Sequence, residues 1–152
     1  MVQAALPSSI ASASLRDILP DASFVGCADL RVGHLTDDSR TVEPRSVFAV
    51  MTGLREHGAR YIDEAVSRGA AGLLIERADP RCPLPQCVVS NVREAYARVS
   101  AVLAGRPDQT VRIAGVTGIN GKTTVAWMTR GIMAAGGKPT GLLGTSENHD
   151  GR

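Results

Sequence analysis

The residues best suited to chemistry lie in one short segment, 115–124, which reads Gly-Val-Thr-Gly-Ile-Asn-Gly-Lys-Thr-Thr. An apolar run of β type precedes the segment at 111–116, and a helical pattern follows it as far as Ala135. A glycine-rich turn between a strand and a helix presents backbone N–H groups whose partial positive charge attracts phosphate oxygens. We therefore predict a phosphate-binding loop rather than a structural turn with a solvated lysine.

The residue types in this loop have distinct roles in phosphate binding. The Lys122 ammonium can reach the β- and γ-phosphates of a nucleotide, and the Thr123 hydroxyl is placed to bind Mg²⁺. Glycine at 118 and 121 permits positive φ or close approach of the backbone to the ligand. The usual pattern has its first glycine six residues before the lysine, but here that glycine lies one residue earlier, at Gly115. The predicted nucleotide-binding residues are Gly118, Ile119, Asn120, Gly121, Lys122, Thr123 and Thr124.

Composition argues against several other classes of function. The 152 residues carry a net charge of +2 and only 3% aromatic side chains, so no nucleic-acid-binding surface is expected. No apolar run reaches the length of a membrane span, and the N-terminus lacks the pattern of a signal peptide. The three cysteines lack zinc-ligand spacing, which favours free thiols in a reducing cytoplasm.

Helical and strand patterns along the chain predict an α/β fold. Helices are predicted at 14–19, 59–68 and 92–104, and strands at 24–28, 30–35, 46–51, 71–75 and 87–89. The polar segment 105–108 follows the last of these helices, and we predict a domain boundary there. Residues 1–105 then form an N-terminal domain, and residues 106–152 begin a second domain.

The second domain is expected to be incomplete. A doubly wound nucleotide-binding sheet needs five or more strands with helices on both faces. Residues 106–152 supply a strand at 111–116, a helix at 122–135 and a strand at 139–143, which together make one βαβ unit. Because such a unit leaves a strand edge and an apolar helix face uncovered, we expect a longer protein or a second chain to complete it.

Three ordered motifs resemble the Mur ligase family, the ATP-dependent amide-forming enzymes of cell-wall peptide synthesis. The phosphate loop is similar to the family's loop, which more often has Thr where Ile119 stands. The other two motifs are similar to the N-terminal uridine-nucleotide-binding domain of the members that add the third residue and the final dipeptide. They are Asp38-Ser39-Arg40 followed by 42–50 and Gly53, and the run 57–65 followed by 69–71 and Glu76. The Asn-Gly-Lys-Thr-Thr form of the loop is closer to the members that add the third residue.

This resemblance implies an activity for the complete protein. A small α/β uridine-nucleotide-binding domain would precede a P-loop ATP-binding domain, of which this chain holds the first βαβ unit. With ATP and Mg²⁺, the enzyme would phosphorylate the terminal carboxylate of UDP-N-acetylmuramoyl-L-alanyl-D-glutamate and join a diamino acid, meso-diaminopimelate or lysine, to it. The resemblance also implies a cytoplasmic bacterial monomer. The family's catalytic middle and amino-acid-binding domain would lie beyond Arg152, so the 152-residue chain alone is expected to be inactive.

The resemblance also assigns roles to individual residues. Lys122 would be catalytic, by neutralising charge that shifts during phosphoryl transfer. Ser39 would contact the uridine end by hydrogen bonding, although it could instead simply cap a turn. Two departures stand out, because the family often has Asp where His57 stands and Gly where Arg45 stands. The residues assigned to the UDP-sugar are Asp37, Ser39, Leu54, Arg55 and Glu56, of which the last three act by position more than by identity.

Other readings of the motifs remain open. The dipeptide-adding member of the family has a similar N-terminal domain. Folylpolyglutamate synthase is similar in the loop but not in the Asp-Ser-Arg domain. A non-catalytic module that binds a uridine nucleotide or a partner would need only the first domain.

Overall fold

The chain folds as two compact units, Met1–Val111 and Arg112–Arg152. The computed structural model describes residues 12–51, 58–145 and 147–151. The strands of the first unit are β1 (Ala13–Ser14), β2 (Ser23–Val25), β3 (Arg31–Val32), β4 (Leu35–Thr36), β5 (Val47–Ala49), β6 (Gly72–Ile75) and β7 (Gln86–Val88). Its helices are α1 (Leu15–Ile18), α2 (Ile62–Ser67) and α3 (Val92–Leu103), with 3₁₀ turns at Ser39–Thr41, Gly58–Tyr61 and Pro107–Gln109.

A five-stranded sheet in the order β2-β7-β6-β5-β4 forms the centre of the first unit. Strands β4, β5, β6 and β7 are parallel, and β2 pairs antiparallel with β7 at one edge. Helix α2 lies between β5 and β6 in the chain, as parallel neighbours require a crossover. Strands β1 and β3 form a separate antiparallel pair. The predicted α/β class is confirmed for this unit.

Alternating side chains of the central strands divide the core into two clusters. Leu74 on β6 packs in one cluster with residues of α1 and α3, and its neighbour Leu73 packs in the other with residues of α2. Strand β5 alternates in the same way, with Phe48 on the α2 side. Because successive strand side chains point to opposite faces, helices cover both faces of the sheet.

The chain between β3 and β4 departs from the sequence prediction. A single strand was predicted at 30–35, but β3 and β4 belong to different sheets and are separated by Gly33 and His34. The Leu30 carbonyl accepts a hydrogen bond from the Leu15 amide at 3.0 Å. The His34 carbonyl accepts one from the Val47 amide at 2.9 Å. Because the two ends are bonded to different elements, the segment bends between them.

The helices of this unit follow their sequence signals closely. Helix α1 begins after Ser14, whose hydroxyl accepts a hydrogen bond from the Asp17 amide, as predicted for a serine cap. The predicted helix at 59–68 forms as a 3₁₀ turn followed by α2, and Gly69 lies just beyond it with φ +87°. Helix α3 forms where it was predicted. Among the described residues, no helix combines the length and apolarity needed to cross a membrane.

Arg45 adopts a left-handed backbone conformation with φ +72°. This conformation costs an L-residue about 1–2 kcal/mol, whereas glycine adopts it freely but loses about 0.5–1 kcal/mol of backbone entropy on folding. We therefore expect Arg45→Gly to stabilise the fold by about 0.5–1 kcal/mol, measured by the urea midpoint. Gly69→Ala, at φ +87°, is the matched opposite and should destabilise it. A lower midpoint for Arg45→Gly would contradict the argument.

The second unit contains helix α4 (Lys122–Ala135) and a hairpin of β8 (Leu142–Leu143) and β9 (Asn148–His149). Helix α4 has the predicted bounds. The predicted strand at 111–116 is wrong, since these residues form no ladder, and Ile113 is 79% exposed. A strand requires a neighbour for its N–H and C=O groups, and none pairs with this segment within the described residues. Because β8 pairs antiparallel with β9, the predicted βαβ unit is replaced by a helix and a hairpin.

Candidate functional site

The loop before α4 has the backbone of an anion-binding turn. Gly118 has φ +151° and Gly121, which precedes the first helical residue, has φ +78°. The first hydrogen bond of the helix runs from the Val125 amide to the Gly121 carbonyl at 2.9 Å. Within the described residues, the amides of Lys122, Thr123 and Thr124 have no backbone acceptor. Such unpaired amides at a helix N-terminus favour a negatively charged ligand.

The Lys122 side chain folds back over this loop. Its ammonium donates to the carbonyl oxygens of Gly118 at 2.6 Å and Ile119 at 3.1 Å. These bonds neutralise two carbonyl dipoles that would otherwise repel a phosphate, and they hold the positive charge at the turn. The loop therefore combines free amides and an ammonium in one place, as phosphate binding requires.

The remaining loop residues are exposed. This exposure matters for Ile119, which stands where the family more often has threonine, and for Thr123, the predicted Mg²⁺ ligand. The Ile119 side chain is 93% exposed, so its replacement of a threonine leaves the backbone of the turn intact. The Thr123 hydroxyl lies in the first turn of α4 and makes no hydrogen bond within the described residues. A free hydroxyl beside the amides fits the predicted Mg²⁺ ligand. Asn120 and Thr124 are likewise exposed on the described surface.

The residues predicted for the UDP-sugar lie in the first unit, around the 3₁₀ turn Ser39–Thr41. Asp37 is exposed just before the turn, and Ser39 is buried at its start. The Ser39 hydroxyl donates to Glu64 at 2.6 Å, so it does not cap the turn. The cap is instead Asp38, which accepts from the Arg40 amide at 3.0 Å. Leu54, Arg55 and Glu56, as well as His57, lie outside the described residues.

Asp38 and Arg40 neutralise each other within the turn. The Arg40 guanidinium donates to both carboxylate oxygens, with the shortest contact 2.7 Å between Nη2 and Oδ2. These hydrogen bonds from Arg40 lower the pKa of Asp38 to about 2. The pair therefore shapes the turn and leaves little net charge to attract a ligand.

Sequence reasoning missed Glu64 as a partner of this turn. Glu64 lies on α2 and also accepts from Arg68 Nε at 3.2 Å. The spacing of four residues between Glu64 and Arg68 is a recognisable helical pair. Nothing in the sequence connects Glu64 with Ser39, which lies 25 positions away.

Gly58 follows the segment 52–57, which holds the predicted loop residues and lies outside the described residues. Its amide donates to the Met51 carbonyl at 2.9 Å, and a Cβ at this position would lie 2.6 Å from that oxygen. Because the obstacle is backbone, we expect Gly58→Ala to push residue 58 away from Met51. If the predicted residues of this segment bind the UDP-sugar, the affinity of the full-length protein for that ligand should fall about tenfold, or about 1.4 kcal/mol.

Isothermal titration with the UDP-sugar measures this effect, and titration with MgATP is its control. The predicted ATP-binding loop lies in the other unit, so MgATP affinity should be preserved. A folded Gly58→Ala variant with full UDP-sugar affinity would show that the close approach of residues 51 and 58 does not shape the site.

Sequence comparison finds curated relatives for this chain. It is 43% identical over 110 residues to the UDP-N-acetylmuramyl-tripeptide synthetase of Roseiflexus sp., covering 71% of this chain and 22% of that protein. It is 35% identical over 139 residues to the UDP-N-acetylmuramoyl-L-alanyl-D-glutamate--2,6-diaminopimelate ligase of Streptomyces coelicolor, covering 89% and 27%. The chain thus spans about a quarter of the length of these relatives. No family model matches the sequence.

Solved structures show the same fold. A UDP-N-acetylmuramoyl-L-alanyl-D-glutamate--2,6-diaminopimelate ligase superposes with a TM-score of 0.64 at 19% identity, covering 91% of this chain and 28% of that chain. MurF from Acinetobacter baumannii superposes with a TM-score of 0.60 at 21% identity, covering 80% and 26%. At these identities the likeness concerns the fold alone.

Fold and sequence together place the chain among the Mur ligases. Within this class, the sequence relatives carry the names of tripeptide synthetases and diaminopimelate ligases. The resemblance inferred from the three motifs is therefore confirmed.

Proposed function

We propose that the chain is the N-terminal part of an ATP-dependent ligase of peptidoglycan synthesis. The full-length protein would join a diamino acid to UDP-N-acetylmuramoyl-L-alanyl-D-glutamate in the cytoplasm. The observation that carries this proposal is the loop before α4, where the amides at 122–124 are free and the Lys122 ammonium bonds to the Gly118 and Ile119 carbonyls. The names of the relatives support the choice of acceptor and of amino acid.

The proposed chemistry proceeds in two transfers. A carboxylate oxygen of the UDP-linked peptide attacks the γ-phosphorus of ATP, and ADP leaves. The amine of the diamino acid then attacks the acyl phosphate, the C–O bond to phosphate breaks, and the amine loses a proton as the amide forms. A free carboxylate is inert to amines, so the phosphate supplies the missing leaving group.

Residues of this chain would bind and orient ATP, which donates the phosphate, and the UDP-linked peptide, which accepts it. The amides at 122–124 would hold the phosphates of ATP, and Lys122 would leave its carbonyl partners to neutralise charge on the β- and γ-phosphates. Mg²⁺, which the Thr123 hydroxyl would help to bind, supplies further neutralisation of the phosphates. In the first unit, Asp37, Ser39 and the segment of Leu54, Arg55 and Glu56 would bind the UDP-sugar.

Two alternative functions are distinguishable by a ligase assay combined with a titration of UDP-sugar binding. The first is a dipeptide-adding ligase, since the chain shares its fold with MurF. The second is a non-catalytic uridine-nucleotide-binding module, which would need only the first unit. The assay supplies the full-length gene product with ATP and either UDP-N-acetylmuramoyl-L-alanyl-D-glutamate or the corresponding tripeptide acceptor. Meso-diaminopimelate, lysine and D-alanyl-D-alanine are then tested separately.

Amide formation with a diamino acid would support the proposal. Formation only with the dipeptide, on the corresponding tripeptide acceptor, would replace it with the dipeptide-adding activity. Tight UDP-sugar binding without turnover on any amine would favour the binding module.

A further inference from the structure

The Asp38-Ser39-Arg40 turn is tied to helix α2 by a carboxylate and a guanidinium. The Ser39 hydroxyl donates to Oε2 of Glu64 at 2.6 Å, and Arg68 Nε donates to Oε1 at 3.2 Å. Arg68 Nη1 also donates to the Arg40 carbonyl oxygen at 3.2 Å. Both oxygens of Glu64 are thereby engaged, one by the turn and one by its own helix.

The direction of the bond between Ser39 and Glu64 follows from carboxylate chemistry. An ionised carboxylate accepts hydrogen bonds and donates none, and 2.6 Å falls in the range of charge-assisted O–H···O⁻ bonds. The hydrogen bond from Ser39 lowers the pKa of Glu64, which favours the ionised form at neutral pH. Ser39 is only 5% exposed, so bulk water has little access to its proton.

We propose that Glu64 is a positioning residue of the uridine-nucleotide site, because it retains the Ser39 proton and leaves Ser39 with only lone pairs for a ligand. The inference rests on the proposed function, in which Ser39 contacts the uridine end. The ligand group at Ser39 must then be a hydrogen donor. A uridine nucleotide has such donors at uracil N3–H and at the ribose hydroxyls, whereas its phosphate and base carbonyl oxygens only accept.

Ligand analogues that lack one kind of donor test this assignment. Cytosine has a bare acceptor nitrogen at position 3, so CDP tests the base, and 2′,3′-dideoxy-UDP lacks the ribose hydroxyls. Isothermal titration of the full-length protein should show UDP binding at least about tenfold tighter than one of these analogues, since losing one hydrogen bond of about 1.4 kcal/mol is tenfold. The analogue that binds weakly identifies the donor.

Variants at Glu64 distinguish a residue that positions the Ser39 proton from one with a purely structural role. In Glu64→Ala the Ser39 hydroxyl can rotate and donate. The ratio of the affinity for UDP to the affinity for the weak analogue should therefore fall below about threefold. The amide oxygen of Glu64→Gln still accepts the Ser39 proton, so this variant should restore most of the ratio. Ser39→Ala should show the same low ratio as Glu64→Ala.

Glu94→Ala is the matched control. Glu94 forms the same kind of helical pair, with Arg98 Nη2 at 2.7 Å, on α3 and without a bond to the turn, so its ratio should equal the wild-type ratio. If Glu64→Ala weakens UDP and both analogues equally, Glu64 is merely structural, and the inference fails while the proposed function stands. A wild type that binds all three nucleotides equally would overturn the inference as well. A wild type that binds neither UDP nor the UDP-sugar would overturn the proposed function instead.

Discussion

Replacing Lys122 with alanine in the full-length protein is expected to lower ATP-dependent phosphate release about a thousandfold. The ammonium is held at the turn by the carbonyls of Gly118 and Ile119, beside the free amides of the helix start. Alanine would remove the positive charge at the place where the proposed phosphoryl transfer would shift negative charge. The amides would remain, so weak ATP binding should persist while turnover is lost.

Affinity for the UDP-sugar should not change in the same variant. The residues proposed to bind that ligand belong to the first unit, whereas Lys122 belongs to the second. Phosphate release and isothermal titration with the UDP-sugar therefore give separate readouts. Equal loss of both would show that the two sites are not divided as proposed.

Lys138 provides a control of matched charge, because it is the other lysine of the chain. It lies just beyond the end of α4 and is exposed. Lys138→Ala should keep wild-type phosphate release. Lys122→Arg should lose most of it, because the planar guanidinium is larger than the ammonium and presents its donors in a fixed fork.

The sequence predicted correctly those elements whose boundaries are set by residues within or next to them. Helix α4 begins at the Gly-Lys-Thr segment and ends before the glycine pair at 136–137, because both boundaries are set by residues within or beside it. The strand at 111–116 failed for the opposite reason. Its apolar residues fit a strand, but a strand exists only where another pairs with it. That partner is a property of the tertiary structure and not of the segment.

The turn at Ser39–Thr41 shows the same limit within the candidate site. Sequence resemblance singled out Ser39, yet the residue that fixes its proton, Glu64, was read only as part of a helical motif. The contact arises because α2 packs beside the turn after the chain has passed through β5. Tertiary packing therefore determined the donor and acceptor roles that a list of motif residues could not provide.

Replacing Gly72 with alanine is expected to destabilise the fold by about 2–3 kcal/mol, near the upper end for overpacking. Gly72 begins β6 in the middle of the sheet and pairs with Val47. An added Cβ would lie 2.8 Å from the Pro85 carbonyl oxygen and 2.6 Å from Leu30 Cδ2. The leucine could turn away, but the Pro85 oxygen is bonded to the Leu73 amide at 2.9 Å and cannot move without breaking the ladder.

Urea unfolding followed by circular dichroism measures this loss, with Gly33→Ala as the matched control. Gly33 lies in the same unit, and a Cβ there would meet no atom within 4 Å. Because alanine restricts the unfolded chain, Gly33→Ala should be neutral or stabilising by up to about 1 kcal/mol. Similar midpoints for the two variants would mean that β6 and Pro85 are not as closely packed as the distances require. A clearly lower midpoint for Gly72→Ala than for Gly33→Ala would show that glycine is required at 72 because the backbones of β6 and Pro85 approach closely there.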